Sequence, residues 1–153
     1  MADYIIPEKE LRGRASADGI THLSTGVAVV RYSKVLAVRR APDDFPGGMF
    51  ELPGGGVEPD ETFMQAVERE LLEETGLKLR SILGMFLGFD YTTPKKPKVR
   101  QFNFLVEADG DVTLSPEHDQ FVWTAIEDIP TLPTTGPMAD CLRNALKAAG
   151  VAT

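Results

Sequence analysis

Between Pro53 and Leu77 the chain passes from a block of three glycines, Gly54-Gly55-Gly56, into a long acid-rich stretch that ends at Gly76. No other segment limits the fold so closely. Lacking a Cβ, the glycine block lets the backbone turn tightly, and a turn is expected there. From about Glu61 to Thr75, Phe63, Met64, Val67 and Leu71 recur at helical spacing, which predicts an amphipathic helix. Asp60 can cap its start, and Gly76 stands where a left-handed residue closes a helix. Glu70, Glu73 and Glu74 fall at i, i+3 and i+4, on a stripe beside the apolar one. These carboxylates therefore border the core instead of facing bulk water.

The surrounding chain alternates between strand and turn signals. Thr25 to Arg31 and Lys34 to Arg40 are β-branched runs separated by Tyr32 and Ser33, the pattern of a hairpin. A loop with Pro42, Pro46, Gly47 and Gly48 leads to a short strand from Met49 to Leu52. Further strands are expected at Leu77–Tyr91, Val99–Glu107 and Phe121–Thr124, and a final helix from about Pro137 to Ala149. Cys141 belongs to that helix as a small buried hydrophobe. Residues 1–20 have no clear period and read as a loose lead-in or one edge strand, leaving 21–153 as a single domain. Strands in hairpins with segregated helices suggest an α+β arrangement or an α/β/α sandwich with a mixed sheet.

Composition narrows the function. With 42% hydrophobic and 25% charged residues the chain is globular in type, and its net charge of −7 disfavours nucleic-acid polymers. One cysteine and two histidines exclude an internal disulfide and a Cys/His zinc framework. Met1 to Arg14 has no apolar signal-peptide core, and the longest apolar stretch, Ile82 to Phe89, is too short to span a bilayer. A soluble cytoplasmic protein is the expectation.

Three carboxylates on one helical face repel one another, by about 0.2–0.5 kcal/mol per pair in an isolated helix. A hard dication converts that repulsion into chelation, because Mg²⁺ and Mn²⁺ prefer oxygen ligands and join carboxylates to phosphates. Such an ion polarises phosphoryl oxygens and makes a water easier to deprotonate.

Gly55 is followed after five residues by Glu61, and seven residues later by Arg69-Glu70-Leu71-Leu72-Glu73-Glu74-Thr75-Gly76-Leu77. This resembles the Nudix box, G-x5-E-x7-R-E-U-x-E-E-x-G-U with U aliphatic, at every specified position. The resemblance implies a Nudix-like α/β/α sandwich with a mixed central sheet, of class α/β. It further implies a hydrolase cleaving the diphosphate linkage of a nucleoside diphosphate joined to a group X, with Mg²⁺ or Mn²⁺ as cofactor. Glu70, Glu73 and Glu74 would hold the metal together with a backbone carbonyl of Gly54 or Gly55, and Gly55 would lie against substrate. Arg69 and Glu61 would be structural partners of the site, with Arg69 orienting a catalytic carboxylate. Many relatives are dimers, so a homodimer is open.

Outside the box the resemblance suggests a phosphate-contacting arginine at Arg39 or Arg40, and a further carboxylate, as metal ligand or general base, at Glu117 with Asp119 second. The other reading of each is a solvated strand end or surface loop. His118 is expected at the surface of a turn, and Trp123 in the core more than as a base-stacking platform. Lys95, Lys96, Lys98 and Arg100 either reach substrate phosphates or keep a hairpin tip solvated. The small single domain favours a (d)NTP or related mononucleotide. ADP-ribose, dinucleoside polyphosphates and a nucleotide-sensing module without turnover are the alternatives.

Overall fold

Tyr32 and Ser33 both adopt positive φ, 52° and 63°, as a two-residue hairpin turn requires. They join β1 (His22–Arg31) to β2 (Lys34–Arg40), with Val30 opposite Val35 and Arg31 opposite Lys34. The computed structural model describes residues 6–43 and 47–151. Met1 to Ile5 and Pro46, assigned above to the lead-in and a loop, lie outside them.

β1 is the hub of the sheet. Along His22 to Val29 it pairs in parallel with β6 (Val99–Asp109), and β6 pairs antiparallel with β5 (Lys78–Tyr91). On its other side β1 forks: Ser24 to Gly26 take β4 (Gly54–Gly56), while Val30 and Arg31 take β2. β2 in turn pairs with β3 (Phe50–Glu51) and β7 (His118–Thr124), both antiparallel. One parallel pair among antiparallel ones makes the sheet mixed.

Side-chain alternation along the strands supplies two cores. Val27 and Val29 of β1 and Phe102, Phe104 and Val106 of β6 face Phe63, Val67 and Leu71 of α2 (Phe63–Thr75). Ala28 and Leu105 face the other way, onto Met138, Cys141, Leu142, Ala145 and Leu146 of α3 (Gly136–Ala148). A sheet buried on both faces by helices is the expected α/β/α sandwich. Cys141 is fully buried, and burial pushes its thiol up to about 11.

Several expectations are corrected. The stretch read as lead-in or edge strand contains α1 (Glu8–Ala17), which buries Leu11 and Ala15. The glycine block is a strand, not a turn, because β1 supplies the ladder that glycine's own propensity would not. α2 is capped by Thr62 and not by Asp60: the Thr62 hydroxyl accepts the Gln65 N–H at 3.1 Å, and the Gln65 side chain accepts the Thr62 N–H at 2.9 Å. That reciprocal pair satisfies two otherwise open donors. Met64 is exposed, outside the apolar stripe. Gly76 closes the helix at φ 72°, as expected. A 3-10 turn over Ile126–Thr131, which no periodicity announced, links β7 to α3.

Candidate active site

The helix α2 brings its acids against the glycine strand. Glu70 and Glu74, one turn apart, are 8% and 5% exposed, whereas the Glu73 side chain is 58% exposed. A carboxylate oxygen of Glu74 accepts the Gly54 N–H at 2.9 Å. A Cβ built on Gly55 would lie 2.6 Å from the Glu70 carboxyl carbon, so only glycine admits that carboxylate there. The Gly55 carbonyl accepts hydroxyl hydrogen bonds from Ser24 and Thr25 of β1, each at 3.3 Å.

Arg69 ties the acids together. Its guanidinium donates to both oxygens of Glu61, at 2.6 and 2.8 Å, to Glu70 at 2.7 Å, to Glu73 at 3.4 Å and to the Gly56 carbonyl at 3.0 Å. A planar five-donor fork suits such multiple contacts; a lysine would not. Arg69 holds the Glu61 carboxyl below its ordinary range, and the arginine's own pKa is raised in return, mainly by Glu61.

Burial acts the other way on the inner acids. It pushes Glu70 up, against the opposing hydrogen bond from Arg69. Glu74 is driven up to about 9, first by burial, with Glu117, Glu70 and Glu51 adding to it and the Gly54 N–H working against it. Carboxylates crowded in a poorly solvated place favour a proton, or a cation, between them. Glu74, Glu117 and His118 also bring ligand atoms within 4.8 Å of one another.

α1 reinforces the start of α2. Glu8 accepts the Phe63 N–H at 2.8 Å and an Arg12 N–H at 2.7 Å. Arg12 also donates to the Glu61 carbonyl at 2.7 Å and lies 4.9 Å over the Phe63 ring.

A cavity of about 590 Å³ opens beside the glycine strand. Its walls include Gly54, Gly55, Gly56, Phe89, Gln101 and Met138. The Phe89 and Tyr91 rings lie 5.5 Å apart. A pocket of this size with apolar walls and a few polar groups has the form of a small-molecule site.

The other expected residues divide. Arg40 lines the cavity and donates to Glu51 at 3.2 Å. Arg39 is not among the lining residues; it makes a two-point contact with Asp119 at 2.8 and 2.9 Å. The β2–β7 register shifts between Arg39 and Arg40, and Arg39 is held by Asp119 while Arg40 lines the cavity. Asp119 is thereby engaged with Arg39, while Glu117 stays exposed near Glu74. Lys95 and Lys96 line the cavity, but Lys98 donates to the Asp18 carbonyl at 3.4 Å, and Arg100 pairs with Asp90 and Asp18. Trp123 is half-buried against the α2 core under Arg31, a packing position.

His118 is a correction. It is no surface residue: its side chain is 2% exposed at the start of β7, with Nε2 2.9 Å from a Glu51 carboxylate oxygen. Glu51 was not singled out either, although alternation with Phe50 and Leu52 in a short strand sets it apart from the core face. Gln101 and the Phe89–Tyr91 pair had no signal separating them from ordinary strand residues.

Among relatives, the chain is 34% identical over 119 residues to an octanoyltransferase of Myxococcus xanthus, covering 70% of this chain and 33% of that protein. It is 35% identical over 117 residues to the NAD-capped RNA hydrolase NudC of Haemophilus influenzae (strain PittEE), covering 74% of this chain and 43% of the relative. The chain thus spans less than half the length of these curated relatives. Among solved structures, a MutT protein from Methanosarcina mazei Go1 superposes with a TM-score of 0.70 at 26% identity, covering 84% of this chain and 94% of that one. The pattern of the NUDIX domain matches residues 20–145, the span that holds the glycine strand, α2 and the cavity. The chain belongs to the NUDIX domain family.

Proposed function

We propose that the protein is a pyrophosphohydrolase that cleaves the diphosphate linkage of a nucleoside diphosphate-X substrate, a (d)NTP or related mononucleotide, with Mg²⁺ as cofactor and Mn²⁺ as an alternative. Members of the family generally use a divalent metal. One observation carries the reading: two buried carboxylates, Glu70 and Glu74, abut the same glycine strand that forms a wall of the cavity.

The donor set fits a hard dication. Glu70, Glu73, Glu74 and the Gly54 carbonyl offer oxygen ligands, and burial raises the proton affinity of the inner pair, as a site awaiting positive charge would. The cation supplies charge stabilisation on the phosphoryl oxygens and a more acidic water. Arg69 keeps Glu70 and Glu73 oriented and gives Glu61 a fixed partner. Arg40, Lys95 and Lys96 offer positive charge to the phosphates, and Gly55 lets them approach the backbone. The nucleoside packs along Phe89, Tyr91 and Met138. Water attacks phosphorus in line, the anhydride P–O bond breaks, a phosphomonoester leaves, and Glu73 or Glu117, the exposed carboxylates, takes the proton from water.

The test is a panel of dNTPs, oxidised nucleotides, ADP-ribose and dinucleoside polyphosphates with Mg²⁺, with products identified by mass. Divalent-ion-dependent turnover, fastest on a mononucleotide, is expected. Tight nucleotide binding without turnover of any of them would instead make the protein a sensor.

A further inference from the structure

His118 has two ring nitrogens in unlike surroundings. Nε2 is 2.9 Å from Glu51, which as a carboxylate can only accept, so Nε2 carries the proton. In the neutral ring Nδ1 is then a bare lone pair. It is buried and has no hydrogen-bond partner, and so is the hydroxyl of Ser115 in the same turn. A buried polar atom left without a partner destabilises the fold unless something outside the chain completes it. Around this imidazole stand Glu74, buried, and Glu117, exposed, with a ring nitrogen and both carboxylates offering atoms within 4.8 Å of one another.

A histidine that gives one N–H to a carboxylate and keeps the other nitrogen bare is the arrangement of a metal-ligating imidazole. The carboxylate fixes the tautomer and ring orientation and makes the free nitrogen a better donor. Glu51 is itself held by Arg40, 3.2 Å away, the residue opposite His118 across the β2–β7 ladder. The second partner shell is therefore already built.

We propose that Glu74, Glu117 and His118 form a mixed oxygen–nitrogen site for a divalent transition ion such as Mn²⁺ or Co²⁺, with Glu51 as the orienting partner. This deepens the reading above, on which it relies for the presence of a cation beside α2. Imidazole favours transition ions where carboxylate and water suit Mg²⁺, so the site would bias the protein toward Mn²⁺ over Mg²⁺.

The experiment uses the full chain without nucleotide, loaded with Mn²⁺ alone, Co²⁺ alone or Mg²⁺ alone. The readouts are imidazole-nitrogen coupling in the Mn²⁺ spin-echo spectrum, visible absorption of bound Co²⁺, and calorimetric affinity. The chain has two histidines, and the other, His22, is exposed. Nitrogen coupling should persist in His22→Asn and vanish in His118→Asn, with Mn²⁺ affinity falling roughly 10–100-fold and Mg²⁺ affinity little changed. Glu51→Gln should give a smaller loss with the coupling retained. If His118→Asn does not fold, the wild type and His22→Asn still assign the nitrogen. Absence of Mn²⁺ binding, binding without nitrogen coupling, or coupling that vanishes in His22→Asn overturns the site, and a buried water would then complete Nδ1 and Ser115. Lack of divalent-dependent nucleotide turnover would defeat the proposed function separately, since these spectra involve no substrate.

Discussion

The carboxyl group of Glu70 lies where a side chain at Gly55 would begin, 2.6 Å from an ideal Cβ. Gly55→Ala must therefore push Glu70 or the strand aside. Overpacking of this kind destabilises by about 1–3 kcal/mol, and misplacing a positioned group by about an ångström is worth on the order of 100-fold in rate. We expect kcat/KM for the best substrate of the panel to fall about 100-fold while the circular dichroism stays native. Activity within twofold of wild type would disconnect Glu70 from the reaction.

Arg69 serves Glu61, Glu70, Glu73 and the Gly56 carbonyl at once. Arg69→Lys keeps the charge and loses the fork. A hydrogen bond to a charged group contributes about 1.5–3 kcal/mol, and the partial exposure of Arg69 reduces that, so a loss of about 1–2 kcal/mol in urea unfolding is expected. Because Arg69 depresses the Glu61 pKa, the stability this pair gives is present above the unfolded carboxylate pKa. It disappears as pH falls through the lower folded value. The variant should therefore approach wild type in stability at acid pH. A deficit that grows on acidification would contradict the assignment.

The inner carboxylates have the opposite linkage. Glu74 ordinarily titrates at 4.5 and is driven up to about 9 in the fold. Between those values the metal-free native state keeps a proton that the unfolded chain has released, so stability drops as pH rises across that window. Glu70, also raised, adds in the same direction. Glu74→Gln removes that group, and its melting temperature should exceed that of the metal-free wild type near about pH 8. The difference should be several degrees, about 1 kcal/mol corresponding to 2–4 °C at this chain length. Parallel pH–melting curves for the two proteins would sink this.

Arg39 and Arg40 should separate. Arg40→Ala, removing a cavity-lining cation, is expected to raise KM about tenfold with a smaller change in kcat, a loss of about 1.4 kcal/mol. Arg39→Ala, which breaks a surface contact with Asp119, should leave both constants near wild type. Equal effects from the two would mean that the contact with Asp119 does not keep Arg39 apart from the cavity.

The chain's most legible parts are those in which local pattern and tertiary context agree. The periodicity of α2 and α3, the Tyr32-Ser33 turn and the Gly76 closure are all local, and each is where the sequence reading places it. The spacing of the acids likewise brings Glu70 and Glu74 onto one inward face, but Glu73, expected to border the core with them, is exposed. Legibility ends where a distant element decides. Glycines have no strand tendency of their own, so β4 exists only because β1 offers it a ladder. α1 buries little beyond Leu11 and Ala15, too thin a stripe to announce a helix. Asp60 and Thr62 are both good caps, and the choice fell to Gln65, which reciprocates only with Thr62. The burial of His118 depends on Glu51, sixty-seven positions away.

The contacts of α1 reach beyond its own residues. Glu8 and Arg12 precede the span that matches the family pattern, yet they hold the first amide of α2 and the carbonyl of Glu61. The footing of the acid-bearing helix is thus bolted to a segment that lies outside the matched span. Whatever grips, trims or displaces that segment would be felt one helix away, at the carboxylates themselves.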